Sequence, residues 1–282
     1  MRTFAAIEKK YAEYENAKIL LQSIPYDGTS TWGKGADRAF EAFLDAADNM
    51  ELYDIETDSE VYKQGIHILP EIVENSSPEA LFKEVYDNTK QLLDTEKFLT
   101  FFGGEHSISI GIIKALYERY PDITILQLDA HADLRKEYND SKYNHACALH
   151  DAAYNTNLIQ VGIRSMDKGE REDLNPAQCY YAHRIYQSDG WIKKVISQMT
   201  DKVYITVDLD VFDPAIMPST GTPEPGGLDW YNVIKLLRKV FRAKEVLGFD
   251  IVELAPMENY KAADFLAAKL YYKMLSYKFE IK

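Results

Sequence analysis

The chain has 282 residues, of which 46% are hydrophobic and 27% charged, and its formal net charge is −13. This composition is that of a globular protein and excludes a disordered chain, a collagen-like repeat and a simple coiled coil. The acidic charge argues against a nucleic-acid partner, because phosphate binding needs clustered Lys and Arg side chains. It suits a cationic metal or substrate, although solubility alone would also explain it.

The predicted location follows from the N-terminus and the cysteines. The N-terminal segment MRTFAAIEKKYAEYENAK is charged and has no apolar signal core. No stretch approaches the ~20 apolar residues of a membrane span. Cys147 and Cys179 match no zinc-ligand spacing. We therefore expect a soluble, cytoplasmic protein without a membrane partner and with buried, reduced thiols.

Short apolar runs alternate with longer amphipathic runs, and no linker or repeat divides the chain. In chain order, the pattern predicts a strand over 18–25, helices over 35–49 and 78–93, a strand over 98–102, a helix over 107–120, strands over 123–128 and 157–163, a helix over 189–200, a strand over 202–207, a helix over 229–243, a strand over 245–252 and a helix over 264–279. Apolar strands separated by helices indicate a parallel sheet covered on both faces. We predict one α/β domain over 1–282, with three αβα layers and a mostly parallel central sheet. A hydroxyl cap at Ser107 is expected to start its helix.

Polar side chains gather where three of these strands end, and the carboxyl ends of parallel strands are where sites form. The runs are ITILQLDAHADL, KVYITVDLDVFDP and FLTFFGGEHS. Alternation along an extended chain would place the polar residues of the first run on one side. The side chains concerned are Asp129, His131, Asp133, Asp208, Asp210, Glu105 and His106.

Four carboxylates in one small space need a compensating charge, because each raises the pKa of its neighbours. Two divalent ions would supply that charge, and oxygen ligands with two imidazoles suit Mn²⁺. A single aspartate at a strand end is more often a helix cap, but capping does not explain the combination. We therefore predict a site for two metal ions, whereas His67 and His183 lie in no such arrangement and His150 lies on a predicted helix.

Four blocks of sequence closely resemble the ureohydrolases, the family of arginase and agmatinase. They are GGEHS at 103–107, LDAHADLR at 128–135, VDLDVFDP at 207–214 and GTPEPGGL at 221–228. Matching segments run in family order from about residue 25 to residue 256. The resemblance implies a three-layer αβα fold, two Mn²⁺ ions per chain and a trimeric or hexameric assembly.

The resemblance also implies a ligand set for each ion. His106, Asp129, Asp133 and Asp208 would hold one ion. The other would be held by His131 and Asp210 together with Asp129 and Asp208, the two bridging carboxylates. Asp213 also follows the second motif, but we expect it to cap the turn before Pro214.

The resemblance implies a catalytic or binding role for two further residues. His145, in KYNHACAL, stands where the family has a proton-shuttling histidine. Glu253, in GFDIVELAP, stands where it has a carboxylate that pairs with the substrate guanidinium. That pairing matches in planar, bidentate geometry, and a histidine titrates in the range needed to protonate a leaving amine. The implied reaction is attack of a metal-activated water on the guanidinium carbon, with release of urea and an amine.

The substrate prediction comes from the loop after the D-x-H-x-D motif. R-x-E-Y followed by S-K-Y-x-H-A-C resembles agmatinase, as do TGTPEPGG and the opening PYDGT. We therefore expect agmatine, a small cationic guanidino compound. A guanidino acid, arginine or a formimidoyl compound stays open, because Arg135 or Lys142 could face the pocket.

Two other classes of function are weighed against this one. A metal-dependent deacetylase would use an Asp-His-Asp zinc site, which leaves His106 and Asp133 without a role. A non-catalytic binding protein is the third hypothesis, although every ligand and catalytic position is filled.

Overall fold

The computed structural model describes residues 2–187 and 190–280. Within these residues eight strands form one sheet, with every pair parallel and the order β2-β1-β3-β8-β7-β4-β5-β6. The strands are β1 Ile19–Ser23, β2 Ile66–Ile68, β3 Phe98–Phe102, β4 Thr124–Leu128, β5 Asn157–Val161, β6 Cys179–Tyr180, β7 Lys202–Asp208 and β8 Glu245–Val252. The predicted α/β class with a parallel sheet is confirmed.

Helices connect these strands. They are α1 Lys9–Ala12, α2 Ala39–Ala47, α3 Pro78–Leu92, α4 Ile108–Arg119, α5 His150–Asn155, α6 Ala182–Ile185, α7 Trp191–Ser197, α8 Trp230–Ala243 and α9 Lys261–Lys278. Asp189, the first residue of one predicted helix, lies outside the described residues. The predicted helix over 35–49 opens as a 3₁₀ turn at Ala36–Arg38.

The sheet is buried on both faces, which explains why its strands read as continuous apolar runs. Every residue of β3 and β4 is buried. Residues of α2, α7, α8 and α9 pack in the hydrophobic cluster on one face, and residues of α3, α4 and α5 pack in a second cluster on the other. These layers give the predicted αβα architecture. Cys147 and Cys179 are both buried, as expected.

The strand register brings the site loops to one edge. Phe102, Ile251, Val207 and Leu128 are aligned across β3, β8, β7 and β4. The chain therefore leaves four adjacent strands at the same level. Sequence reasoning placed three polar strand ends side by side, but β8 lies between β3 and β7 and adds a fourth.

The start of α4 differs from the prediction. Ser107 has helical backbone angles and makes no side-chain capping bond. Its hydroxyl donates to Glu105 Oε1 at 2.9 Å instead. A capping serine needs an extended backbone, so the hydroxyl serves the carboxylate beside the site.

None of the helices in residues 2–187 and 190–280 combines the length and apolar character that crossing a membrane requires.

Candidate metal centre and active site

The first group of candidate ligands surrounds the His106 ring. Its Nδ1 lies 3.1 Å from Asp129 Oδ2, 3.1 Å from Asp133 Oδ2 and 3.4 Å from Asp208 Oδ2. This nitrogen is buried and has no hydrogen-bond partner within residues 2–187 and 190–280. Ligand atoms at about 2.1 Å from a six-coordinate ion lie about 3.0 Å apart at right angles. The spacing of these atoms therefore fits a shared cation.

The second group surrounds His131. Its Nδ1 lies 2.8 Å from Asp210 Oδ2 and 3.7 Å from Asp129 Oδ1. Asp129 thus presents Oδ2 to one histidine and Oδ1 to the other, as a bridging carboxylate would. Asp208 presents Oδ2 to His106, and its Oδ1 accepts the main-chain N–H of Asp210 at 2.8 Å. Ligand atoms of Asp129, His131 and Asp210 all lie within 4.8 Å of one another, and this group includes no ligand atom of Asp208.

Backbone groups orient these carboxylates. Asp210 Oδ1 accepts the N–H of Ala130 at 2.9 Å, which ties the loop after β7 to the loop after β4. Asp129 Oδ1 accepts the N–H of His131 at 2.6 Å. Asp133 reaches the cluster through a left-handed backbone with φ of 52°. The predicted alternation along an extended chain therefore does not account for Asp133, since a turn redirects it.

The electrostatics of the cluster call for positive charge. Burial, Asp210 and Asp133 raise the pKa of Asp129 to about 7. Burial, Asp210 and Asp129 raise the pKa of Asp208 well above its usual range. Burial would raise the pKa of Asp210 as well, but the charge of His131 and its hydrogen bond hold that pKa below the usual range. Cations would stabilise the four carboxylates in their charged forms, so the residues present fit two metal ions.

A buried chain of hydrogen bonds supports His106 from behind. Thr206 Oγ1 donates to Asp250 Oδ1 at 2.6 Å and lies 2.9 Å from His106 Nε2. Because the hydroxyl hydrogen goes to the carboxylate, its oxygen accepts from Nε2–H. The lone pair of His106 is then on Nδ1, towards the three aspartates. This is the tautomer that a metal ligand needs.

Glu253 lies directly after β8, with φ of 67°. It is buried, as few glutamates at strand ends are. Its Oε1 accepts the His106 N–H at 2.8 Å. Gly221 lies beside Oε2, where a Cβ on that residue would be at 3.5 Å, and both residues line the cavity described below. Burial and Glu105 raise the pKa of Glu253 well above its usual range, which a cationic substrate would offset.

His145 begins a 3₁₀ turn, His145–Cys147, at which the Asn144 side chain accepts the Ala146 N–H. The main-chain N–H of His145 donates to Thr29 Oγ1 at 3.0 Å, and its Nδ1 lies 3.1 Å from the same oxygen. Burial lowers the pKa of His145. A mostly neutral imidazole therefore lies beside the carboxylate cluster.

A cavity of about 300 Å³ connects the cluster to solvent. Asp133, Asp208, Asp210, His131, His145 and Glu253 line its inner part, with Trp32, Arg135, Tyr138 and Asp167 also in its wall. The Arg135 guanidinium lies 4.7 Å from the Tyr138 ring centre and 3.8 Å from Asp167 Oδ2. Lys142 Nζ lies over the Tyr143 ring instead. Arg135 therefore lines the cavity, whereas Lys142 does not.

Sequence reasoning missed several residues around the site. Thr29 contacts His145, and Thr206, which is bonded to Asp250, contacts His106. The three lay within PYDGT, KVYITVDLDVFDP and GFDIVELAP, but none was singled out. Arg164 was also missed: its Nη2 donates to the carbonyls of Asp210 at 2.6 Å and Glu224 at 2.8 Å. The guanidinium thus joins the loop after β7 to the GTPEPGG loop.

Asp213 behaves as expected. Its Oδ1 accepts the N–H of Ala215, and its Oδ2 accepts those of Gly226 and Gly227. These bonds close the turn before the GTPEPGG loop and keep Asp213 out of the ligand groups.

A model of the arginase family matches residues 17–276. The N(1)-aminopropylagmatine ureohydrolase of Synechocystis is 34% identical, over 94% of this chain and 90% of that protein. The agmatinase of Pyrococcus horikoshii is 29% identical, over 95% of each chain. The crystal structure of the agmatine ureohydrolase of Thermoplasma volcanium superposes with a TM-score of 0.89 at 30% identity, covering 99% of this chain and 96% of that one. Both the sequence and the fold are therefore similar to these proteins over nearly their whole length.

Proposed function

The chain belongs to the arginase family, and on that premise we propose that it hydrolyses the guanidino group of agmatine, giving urea and putrescine. The convergence of four aspartates and two histidines at the ends of β3, β4 and β7 carries this proposal. The cavity beside them supplies room for a small substrate.

The proposed metal ligands are His106, Asp129, Asp133, Asp208, Asp210 and His131. Two Mn²⁺ ions are the proposed cofactors, because the donor set is carboxylate oxygen with imidazole and no thiolate. Bound there, the ions would lower the pKa of a water molecule towards neutrality and so supply the nucleophile.

Glu253 is proposed to bind the guanidinium. The His106 N–H fixes one carboxylate oxygen and Glu253 lines the cavity, so a planar cation can be held in one orientation. His145 is proposed to protonate the leaving amine. It lines the same cavity, and its imidazole can take up and release a proton near neutral pH.

The charge of the cavity favours a cationic substrate over a guanidino acid. Among the described residues, Arg135 is the one Lys or Arg that lines this cavity. Its guanidinium lies 3.8 Å from Asp167 Oδ2. A guanidino acid would depend on Arg135 as the cationic partner of its carboxylate, in a lining that also holds six carboxyl groups. Agmatine has an ammonium group at that end and needs no cationic partner.

A second candidate substrate is N(1)-aminopropylagmatine, which the Synechocystis relative is named for. Trp32, in the cavity wall, is 83% exposed, so the cavity opens beside an uncovered aromatic face. An aromatic face attracts a cation, and the additional ammonium of this longer substrate could lie against it.

Urea release from a panel of substrates tests the proposal. The manganese-loaded enzyme should show its highest kcat/KM with agmatine, followed by N(1)-aminopropylagmatine, and little activity with 4-guanidinobutyrate or arginine. Metal analysis should find two manganese ions per chain. Glu253→Gln should lose activity and keep both ions.

Other outcomes select other functions. Preference for N(1)-aminopropylagmatine selects the second candidate, and preference for 4-guanidinobutyrate or arginine overturns both. One tightly bound zinc would indicate the deacetylase hypothesis. Full metal occupancy without hydrolysis would indicate a binding protein.

The cytoplasmic location and the trimeric or hexameric assembly stay predictions from sequence. Light scattering after size-exclusion chromatography tests the assembly.

A further inference from the structure

Thr29 joins two groups of the site that are far apart in sequence. It is buried in the segment PYDGT, between the Glu105 carboxylate and the His145 imidazole. Its hydroxyl oxygen lies 2.9 Å from Glu105 Oε1 and 3.1 Å from His145 Nδ1. The proposed reaction uses His145 and leaves this contact without a role.

The hydrogen of the Thr29 hydroxyl is directed to Glu105. Three donors surround Glu105 Oε1: the Thr29 hydroxyl, the Thr29 N–H at 3.3 Å and the Ser107 hydroxyl at 2.9 Å. Oε2 receives a single donor, the Ser107 N–H at 3.1 Å. A proton on this carboxyl group would therefore be carried by Oε2. Oε1 stays an acceptor in either state, so the direction of the Thr29 bond does not depend on titration.

This direction fixes the tautomer of His145. A threonine hydroxyl has one hydrogen, and once it is donated to Glu105 the oxygen can only accept. That oxygen already accepts the main-chain N–H of His145 at 3.0 Å. His145 Nδ1 must then carry a hydrogen to bond the same oxygen. The neutral ring has its lone pair on Nε2.

We propose that Thr29 is a positioning residue that holds His145 as the Nδ1–H tautomer, with Nε2 facing the cavity. Nδ1 lies against Thr29 and the ring lines the cavity, so Nε2 is the edge left for the substrate. Glu105 acts through Thr29 by fixing the direction of the hydroxyl. The proposal rests on the proposed hydrolysis, since it assigns the atom of His145 that moves the proton.

In the proposed reaction, His145 Nε2 takes up a proton and later returns it. Nε2 takes one proton from the attacking water, whose oxygen bonds to the guanidinium carbon. The ring is then an imidazolium whose Nδ1–H is still held by Thr29. As the C–N bond breaks, its electron pair stays on the leaving nitrogen, and Nε2 returns its proton there. The hydroxyl proton still on the urea oxygen passes to the same amine, so neutral urea and an ammonium leave, and His145 is again the Nδ1–H tautomer.

Thr29→Val removes the hydroxyl and nearly preserves the shape of the side chain, while Thr29→Ser is the matched control. We expect Thr29→Val to lower kcat by about 10- to 100-fold, part of the ~10²–10⁴-fold that a positioned acid–base group contributes. KM and manganese content should stay within about twofold, because neither Glu253 nor a ligand loses a contact. Thr29→Ser keeps the oxygen and should retain most of the kcat.

A double-mutant cycle with His145→Asn separates positioning from a general loss of packing. If Thr29 acts through His145, then Thr29→Val should cost nothing further in the His145→Asn background. Equal losses in both backgrounds would overturn the proposal. So would a Thr29→Val enzyme with wild-type kcat, or a Thr29→Ser enzyme as slow as Thr29→Val.

Wild-type enzyme measured in parallel distinguishes this failure from failure of the proposed function. A wild-type protein that releases no urea from any guanidino substrate overturns the hydrolysis and the role of Thr29 together. An active wild type with additive variants overturns the role of Thr29 alone.

Discussion

At the scale of single residues, the proposed chemistry of the site depends on which ring nitrogen of each histidine has its lone pair available. His106 and His145 each have one ring nitrogen within 3.1 Å of a threonine hydroxyl whose hydrogen goes to a buried carboxylate. For His106 this leaves Nδ1 free to face the aspartates, whereas for His145 it leaves Nε2 free. The same pair of residue types, threonine and carboxylate, thus prepares one ring to bind a metal and the other to move a proton.

Thr206→Val tests the first of these contacts. Without the hydroxyl, Nε2 of His106 loses its acceptor and the ring can adopt the other tautomer. We expect affinity for Mn²⁺ to fall by about 10- to 100-fold, the usual cost of losing such a supporting bond. Competition with a fluorescent chelator measures the affinity. Thr124→Val, a buried threonine near the start of β4, is the control and should bind manganese normally. Unchanged affinity in Thr206→Val would contradict the assigned tautomer.

At the scale of elements, the site depends on parallel strands that end in register. Leu128 and Val207 are aligned, so Asp129 and Asp208 emerge side by side. Strand patterns predicted this edge, but β2 and β6 were missed because three and two residues are too few for a periodic signal. The short helices α1 and α6 were missed for the same reason, whereas the predicted helix at His150 is confirmed as α5.

Helix α9 is buried over most of its length and contains a lysine, Lys273, that is only 6% exposed. Its Nζ lies 3.0 Å from Asp54 Oδ2 and also contacts Glu56. Lys273→Met would leave the buried Asp54 without its cation, so we expect the free energy of unfolding to fall by about 3 kcal/mol. Urea unfolding measures the change. Lys239→Met, at an exposed position of α8, should change it by less than ~0.5 kcal/mol; equal effects would contradict this role.

Helix α8 is joined to the end of the chain through Glu280, which accepts hydrogen bonds from Arg238 and Arg242. These bonds lower the pKa of Glu280 to about 2. A carboxyl group with a lowered pKa stabilises the folded state above its unfolded pKa of about 4.3, and this contribution is lost as pH falls towards 2. Glu280→Gln should therefore be less stable than wild type at pH 7, with a difference that narrows from pH 5 to pH 3.

Urea unfolding at pH 7, 5, 4 and 3 measures this difference. Glu258→Gln, at an exposed position, is the control and should follow wild type at each pH. A stability difference for Glu280→Gln that stayed constant between pH 7 and pH 3 would contradict the ion pairs.

At the scale of the whole molecule, a cluster of buried aspartates opposes folding, because like charges are costly out of water. Buried Asp129, Asp133, Asp208 and Asp210 lie at one end of the sheet of a chain with net charge −13. Metal binding should therefore stabilise the fold, since only the folded state brings these ligands together. Removing the metal with a chelator should lower the melting temperature, and adding Mn²⁺ should restore it.

Free Mn²⁺ at 100 times the dissociation constant corresponds to ~2.7 kcal/mol of stabilisation for one site, or a shift on the order of 5 °C for a chain of this size. Thermal scans with and without the chelator measure it. Asp129→Asn, which removes the carboxylate between the two histidines, should melt at a temperature that responds much less to Mn²⁺. An unchanged melting curve for the wild type would contradict the metal centre.

The sequence by itself determined the fold class and the set of polar residues that converge. Both are local signals, because apolar periodicity and D-x-H-x-D spacing are read within a few consecutive residues. The tertiary structure alone decided which atoms face one another. Thr29 is 76 residues from Glu105 and 116 from His145, while Thr206 is 100 residues from His106. Hydrogen-bond direction depends on partners within about 3 Å in space, and no pattern along the chain specifies such partners across that separation.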